Sequence, residues 1–472
     1  MASVKKSLLL SFAQRNGSLV IQFLSSLLIA RLLSPHEIGI FSIGSVIVSF
    51  SHIVRDFGVA NYVVQERELS PDRIRSAQAI VWITSVSIAA ALLLGAGVAG
   101  ELYSEPGVTL TMRVLAVNFL LLPLGSITMA LMVREMQFAR MFAINMTSCV
   151  VQNGTAILLA WLGAGFISLA WGTVAAGVVS AVGLLFCRQV NQPWLPGLKE
   201  LRRVFSAGTK LSGSSFFYEL GQGGPELVCG KMLGFETVAY FSRGVGAASM
   251  LLRALVDGVV PVANSYFAKK SREDEGIKSH YLTAISYLGA FALPAFACLA
   301  VMAEPLILFL YGEQWLEAAR PMQIVSLGLA GIAVANIAGA VLVGSGRIGV
   351  NLKMHAMFQP LKVVMVFFAS FAGLNALVMA VAFGDVIITW YSISRANRLV
   401  GASWSEFAAS LLPTLGLALG TALVCAGALA LGQGSGVALK VAIGSIAAGA
   451  GWLALLLAMR HPLVHEMRAK RA

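Results

Sequence analysis

Fourteen apolar stretches of about 20 residues follow one another along this chain, and their recurrence settles the fold class before any single residue is weighed. A helix of that length crosses the roughly 30 Å hydrocarbon layer of a bilayer. No water is available there, so every backbone N–H and C=O must find its partner within the chain, and runs of this length do so as helices. Spans are expected near residues 8–33, 40–64, 76–100, 109–133, 142–163, 166–187, 207–233, 238–262, 281–303, 319–345, 355–373, 376–394, 408–430 and 439–459. Charged residues make up only 12% of the 472, against about 25% in a soluble domain, so the chain reads as an all-α polytopic membrane protein.

The net charge of +12 does not point to nucleic acid, because the basic residues are scattered between apolar spans and build no basic domain. Of the 34 lysines and arginines, 24 fall in every second loop or at the termini, which by the positive-inside rule puts both termini in the cytoplasm. The basic start MASVKKSLLL has the look of a signal peptide, but Gln14, Arg15 and Asn16 interrupt its apolar run and no small-x-small site follows. It is expected to be the first membrane helix. Cys149, Cys187, Cys229, Cys298 and Cys425 all lie in or beside apolar spans without a CxxC pair, so they are expected to be small core residues, with no disulfide framework and no metal site.

The longest polar loop, RQVNQPWLPGLKELRRVFS, sets Leu198, Leu201 and Phe205 on one helical face and Lys199, Arg202 and Arg203 on the other. It reads as a short interfacial helix on the anionic inner leaflet and as the linker between two halves. The expected organisation is an N-lobe over 1–190 (spans one to six), the linker over 191–206, a C-lobe over 207–398 (spans seven to twelve), and spans thirteen and fourteen with a tail over 399–472.

The halves repeat. Ala30 to Gly44, ARLLSPHEIGIFSIG, aligns without a gap on Gly230 to Gly244, GKMLGFETVAYFSRG, pairing Arg31 with Lys231, Phe41 with Phe241 and Gly44 with Gly244. Both segments hold the turn after the first span of their half. Two six-helix bundles in the same orientation, plus two C-terminal helices, follow from that register.

Charge inside the spans marks the places to look for function, since an intramembrane charge costs about 2.5–3.5 kcal/mol on insertion scales and faces a protein interior or a wet cavity. His52, Arg55 and Asp56 share one face of span two, and Ser249, Arg253 and Asp257 share one face of span eight, its repeat partner. On one reading Arg15, Arg55 and Arg253, with Arg31 and Arg243 nearer the outer mouth, line a cationic cavity between the bundles; guanidinium stays charged and offers forked donors to phosphate. On the other, Asp56 and Asp257 pair with the neighbouring arginines and merely hold the helices together.

Span seven carries Glu219, Gln222 and Glu226 on one face and Gly221, Gly223, Gly224 and Pro225 in its middle, where a bend or break is expected. Glu219 and Glu226 either carry a coupling H+ or Na+ or pair with arginines. Asp385 and Lys362, lone charges of spans twelve and eleven, either pair or form a second ion site. His52 is either a packing histidine or a protonation sensor. The chain has no phosphate-binding glycine loop, no nucleophile elbow, no HExxH and no acidic catalytic loop, so no catalytic residue is assigned and no enzyme is expected.

Three segments, ARLLSPHEIGIFSI, RDFGVANYVVQ from Arg55 to Gln65 and LYGEQWLEAARPMQIVSLG from Leu310 to Gly328, resemble the bacterial polysaccharide flippases of the multidrug/oligosaccharidyl-lipid/polysaccharide exporter superfamily, over about residues 8 to 400. The resemblance implies two lobes around a V-shaped cavity lined by basic residues of helices one, two, seven and eight, which here carry Arg15, Arg55 and Arg253. It implies as cargo an oligosaccharide joined through diphosphate to a polyprenol, usually undecaprenol, moved from the inner to the outer leaflet of the bacterial inner membrane for exopolysaccharide, capsule or O-antigen. Membrane lipids and the polysaccharide polymerase and export machinery are the partners it implies; no cofactor is needed beyond H+ or Na+ coupling. The competing readings are a drug or cation antiporter of the same superfamily, a lipid II flippase, and a membrane polymerase or acyltransferase.

Overall fold

The computed structural model describes residues 2–56, 59–66, 68–188, 192–193, 195–272, 276–432, 434–459 and 461–463; the side chains of 2–13, 15, 53–54, 56, 61, 202–215 and 348 are outside the described set. Regular structure among these residues is helical throughout, in two compact units that divide after Ala239. The first contains α1 (Ala2–Leu32), α2 (Pro35–Asp56), α3 (Val59–Gln65), α4 (Pro71–Tyr103), α5 (Pro106–Arg134), α6 (Phe138–Trp161), α7 (Ile167–Phe186) and α8 (Leu201–Leu233), and ends in the first turn of α9 (Phe235–Val256). The second continues α9 and adds α10 (Val259–Arg272), α11 (Ile277–Val301), α12 (Ala303–Leu310), a 3-10 turn (Glu313–Ala318), α13 (Ala319–Gly344), α14 (Ile348–Ser370), α15 (Leu374–Val400), α16 (Trp404–Leu431) and α17 (Val437–Ala458).

Each of the fourteen expected spans falls on one or two of these helices. Among the described residues, ten are long and apolar enough to cross a membrane, and α9 with α10 makes an eleventh if that pair is one span. Local chemistry sets the helix ends. Pro71 and Pro106 start α4 and α5 at the position where a missing N–H costs nothing, behind the caps Ser70 and Glu105. Ser403 and Glu406 close a reciprocal capping box on α16.

The repeat is visible as packing. α2 and α9 start at Pro35 and Phe235, offset by 200 positions, and each is followed by further helix, described from Val59 in the first half and starting at Val259 in the second. The turns before them differ in chemistry. In the first half Ser34 and Glu37 exchange hydrogen bonds around Pro35, with Ser34 N to Glu37 Oε2 at 2.8 Å; in the second half the same place is Gly234, at φ +89°, where a side chain would be strained. Gly44 lies where a Cβ would come within 2.6 Å of Thr111 Cγ2 on α5, and Gly244 where it would come within 2.5 Å of Ala318 O at the start of α13. α5 and α13 are the fourth spans of their halves. The pairs α4–α5, α5–α7 and α6–α7 recur as α11–α13, α13–α15 and α14–α15, while α16 and α17 stand outside the repeat, packing on each other, on α11 and on α12.

Two expectations change. α8 is assigned as one helix through Gly221–Pro225, and two of its glycines are places of close approach to α2: a Cβ on Gly223 would meet Val46 Cγ1 at 2.7 Å, and one on Gly230 would meet Ile43 Cδ1 at 2.4 Å. A break with a bend lies in the next span, where α9 and α10 meet at 41° around Asp257 and Gly258. Nor is residues 191–206 a separate interfacial helix. Leu201 onward belongs to α8, and the chain before it is pinned to unit 1: Thr128 donates to Gln192 Oε1 (3.1 Å), Gly197 N to Arg75 O (3.1 Å) and Glu200 N to Ser76 Oγ (3.0 Å).

Candidate functional site

Within unit 1 the polar face of α2 is built by helical spacing, with Ser45, Ser49 and His52 stepping toward Arg55 in its last turn. His52 stacks on the Phe119 ring of α5, centroids 4.6 Å apart and planes 26° from parallel. Ser49 Oγ donates to Glu219 Oε1 at 2.8 Å, so one of the two α8 carboxylates is hydrogen-bonded to α2; Glu226, two turns on, is half-buried on the same face. Arg55 is half-buried, and Arg31 is exposed at the end of α1. The backbone of Arg15 lies in α1 and that of Asp56 ends α2, but the side chains of both are outside the described residues.

Within unit 2, Arg253 is exposed in the last turn of α9, the turn that Asp257 N closes on Arg253 O at 3.0 Å. Arg253 stands near the midpoint of the α9–α10 pair, just ahead of the bend. Beyond the bend, α10 and α11 frame an apolar groove of about 700 Å³ whose walls include Val262, Tyr266, Tyr287 and Phe291.

Arg243 has a different setting from the other arginines. Its guanidinium carbon stands 5.7 Å from the Tyr311 ring centroid and 5.5 Å from that of Trp315, and its Nε is buried with no hydrogen-bond partner. Trp315 is fully buried and also meets Tyr240 edge-on at 6.2 Å. The LYGEQW segment thus sets two of its rings, Tyr311 and Trp315, within cation–π range of Arg243. Arg243→Gln is expected to cost about 1–2 kcal/mol, the loss of cation–π contact at a desolvated site, read as a lowered Tm with a change in Trp fluorescence. An unchanged melting curve would remove the contact from the account.

Lys362 and Asp385 meet. Lys362 Nζ donates to Asp385 Oδ1 at 3.1 Å, with side chains 2% and 6% exposed, and the lysine stem crosses α15 at Gly384, where a Cβ would sit 2.5 Å from Lys362 Cγ. The mutual pairing open from the sequence is therefore present in the fold. Sequence reasoning missed Gln359, one turn before Lys362 on α14; it is 2% exposed and its Oε1 has no hydrogen-bond partner. An amide among spanning residues, three positions from a lysine, was the signal for it.

Residues 28–320 match the profile of a family described as "Polysaccharide biosynthesis protein". Among curated proteins, the chain is 24% identical over 460 residues to "Lipopolysaccharide biosynthesis protein WzxC" of Escherichia coli (strain K12), covering 93% of this chain and 90% of the relative. It is 23% identical to "Succinoglycan biosynthesis transport protein ExoT" of Rhizobium meliloti (strain 1021), over 86% of this chain and 80% of the relative. Its fold is shared with a solved "Lipid II flippase MurJ, inward closed conformation" (TM-score 0.77, 11% identity, 97% of this chain and 100% of the other). A multidrug resistance MATE transporter in an inward-facing conformation has the same fold (TM-score 0.67, 14% identity, 81% and 94%). With the profile spanning more than half of its length, this multi-pass membrane chain belongs to the polysaccharide biosynthesis protein family.

Proposed function

We propose that the protein is a flippase that moves polyprenyl-diphosphate-linked oligosaccharide from the inner to the outer leaflet of the bacterial cytoplasmic membrane, by alternating access through a cationic cavity and without catalytic chemistry. The observation that carries this reading is the duplicated second span. Arg253 stands in the last turn of α9, just before the chain bends by 41° and starts α10 at Val259, and Arg55 stands near the end of the described part of α2. Interrupted spanning helices with charge at the interruption are where transporters of parallel-repeat architecture hold polar cargo. Arginine suits diphosphate through paired, charge-assisted hydrogen bonds. An apolar groove such as that of α10 and α11 suits a chain that stays in the bilayer while its headgroup crosses.

The direction has a physical source. With the cytoplasm negative, each negative charge carried outward gains about 2.3 kcal/mol per 100 mV. On this reading both termini are cytoplasmic, Arg15 and Arg31 join Arg55 on the substrate path, Glu219 parts from Ser49 as α8 moves, and a polymerase takes the flipped product.

Deletion of the gene is expected to stop polysaccharide export and to accumulate the lipid-linked oligosaccharide, measured by mass spectrometry of extracted lipids. Arg253→Ala is expected to reproduce this with normal membrane levels of the protein. Accumulation of lipid II alone would move the cargo to cell-wall precursor, and unchanged lipids together with unchanged export would end the reading.

A further inference from the structure

The buried pair between α14 and α15 is more than two charges cancelling. Lys362 lies fourteen residues, about 21 Å, from the start of α14 and eight, about 12 Å, from its end, so the pair is deep in the span. Among apolar neighbours such as Val366 and Ile388, a structural tie between helices needs no ionic group. One turn away Gln359 holds a buried carbonyl oxygen that nothing satisfies. Positions i and i+3 of a helix are neighbours, and the four-carbon stem of lysine spans that distance. A second acceptor thus lies one helical turn from Lys362, whose ammonium bonds Asp385.

We propose that Lys362, Asp385 and Gln359 form a proton-carrying site. In one state the carboxylate of Asp385 accepts from the ammonium, as observed. In the other the carboxylate binds a proton from water and becomes neutral, and Lys362 turns its N–H to Gln359 Oε1. The pair goes from net charge zero to plus one, and the acceptor left unmet in the observed state is satisfied in the protonated one. A proton fits this site better than a metal ion. A metal cation would face a tethered ammonium across a single carboxylate, two positive charges on one negative in a dry environment, whereas a proton leaves just one charge to accommodate.

The surrounding groups allow such exchange. On α14, the His355 ring lies 3.4 Å from the Gln359 amide nitrogen and extends a polar file to within about 10 Å of the helix start, near Lys353. On α15, Tyr391 packs on Phe358 and lies under Arg395, at 4.8 Å, toward that same end. α13, which packs on both helices, carries one ionisable residue, Arg320 in its first turn.

The site deepens the transport reading by naming what drives the cycle, and it rests on that reading only in the second arm of its test. In the first arm, infrared difference spectra of the purified full-length protein in nanodiscs are recorded on acidification. The wild type is expected to gain a protonated-carboxyl band that Asp385→Asn lacks, that Gln359→Leu weakens or shifts, and that is the same in NaCl and KCl. Identical bands in wild type and Asp385→Asn, or a band displaced by sodium, would overturn the proposal. In the second arm, Lys362→Met/Asp385→Asn, in which neither charge is stranded, is expected to reach the membrane at wild-type level and lose export. Full export by that double variant would make the pair a packing contact and nothing more. If the wild type exports no polysaccharide at all, the transport reading fails alone and the infrared arm still decides the site.

Discussion

Gly39→Val destabilises the protein by about 3 kcal/mol or more and removes most of it from the membrane fraction; this is the largest single effect expected from the packing. A Cβ on Gly39 would lie 2.0 Å from the carbonyl oxygen of Phe235, 2.5 Å from its carbon and 2.9 Å from its Cα. All three atoms are backbone, so no rotamer change relieves the clash. The contact also cannot be loosened cheaply, because neighbouring bonds fix the same seam. Tyr103 Oη donates to Leu227 O at 3.1 Å, Lys231 Nζ donates to Leu102 O at 2.6 Å, and His36 meets the Phe235 ring edge-on at 5.6 Å. Overpacking in a core with freedom to adjust costs about 1–3 kcal/mol, and a backbone obstacle places this site at the upper end or beyond. The internal control is Gly97 on α4, where an added Cβ meets nothing within 4 Å; Gly97→Ala is expected to gain about 0.5–1 kcal/mol from helix propensity. Thermal unfolding followed by size-exclusion in detergent reads both. Equal curves for Gly39→Val and Gly97→Ala would mean that α2 does not press against the α8–α9 turn.

Breaking the Lys362–Asp385 pair from one side is expected to cost about 3–5 kcal/mol, and breaking it from both sides far less. Lys362→Met keeps the stem that lies against Gly384 and removes only the charge, leaving a carboxylate with 6% exposure and no ammonium. Asp385→Asn strands the ammonium instead. In the double variant neither desolvation penalty remains, and burying an apolar or amide group in place of an ion pair is often neutral. The four melting curves form a double-mutant cycle, whose interaction energy isolates the pair from the packing of the two side chains. Additive losses would show that the two charges act separately, as they would if water reached either one.

The fold was legible because its rule is crude. Apolar length and the helix requirement placed a helix at each expected span, and the 200-residue offset of ARLLSPHEIGIFSIG on GKMLGFETVAYFSRG survived as helices that start at Pro35 and Phe235 and bring Gly44 and Gly244 against the fourth spans of their halves. The finer expectations depended on what a residue touches, which one-dimensional reading does not contain. Gly221–Pro225 read as a weak point when considered alone, yet Gly223 and Gly230 seat α8 on Val46 and Ile43, and the helix stays whole. The aromatic setting of Arg243 was not visible, because the rings beside it, Tyr311 and Trp315, come from about 70 residues later in the chain. Lys362 and Asp385, 23 positions apart on consecutive spans, were near enough in sequence for their meeting to be foreseen as one of two outcomes. Gln359 escaped notice because an uncharged amide carries no alarm until its burial is known.

The segment from Arg188 to Glu200, bonded to the ends of α4 and α5, has a practical consequence for anyone who wishes to take the chain apart. An obvious place to divide it, the polar stretch ahead of α8, would sever a clasp and deprive α8 of the helices it lies on. Scissors belong instead beside Gly234, where a left-handed glycine ends α8 and the first compact unit is nearly complete. Fragments meant to be co-expressed, or fluorophores meant to report on one unit without disturbing it, are best designed around that joint.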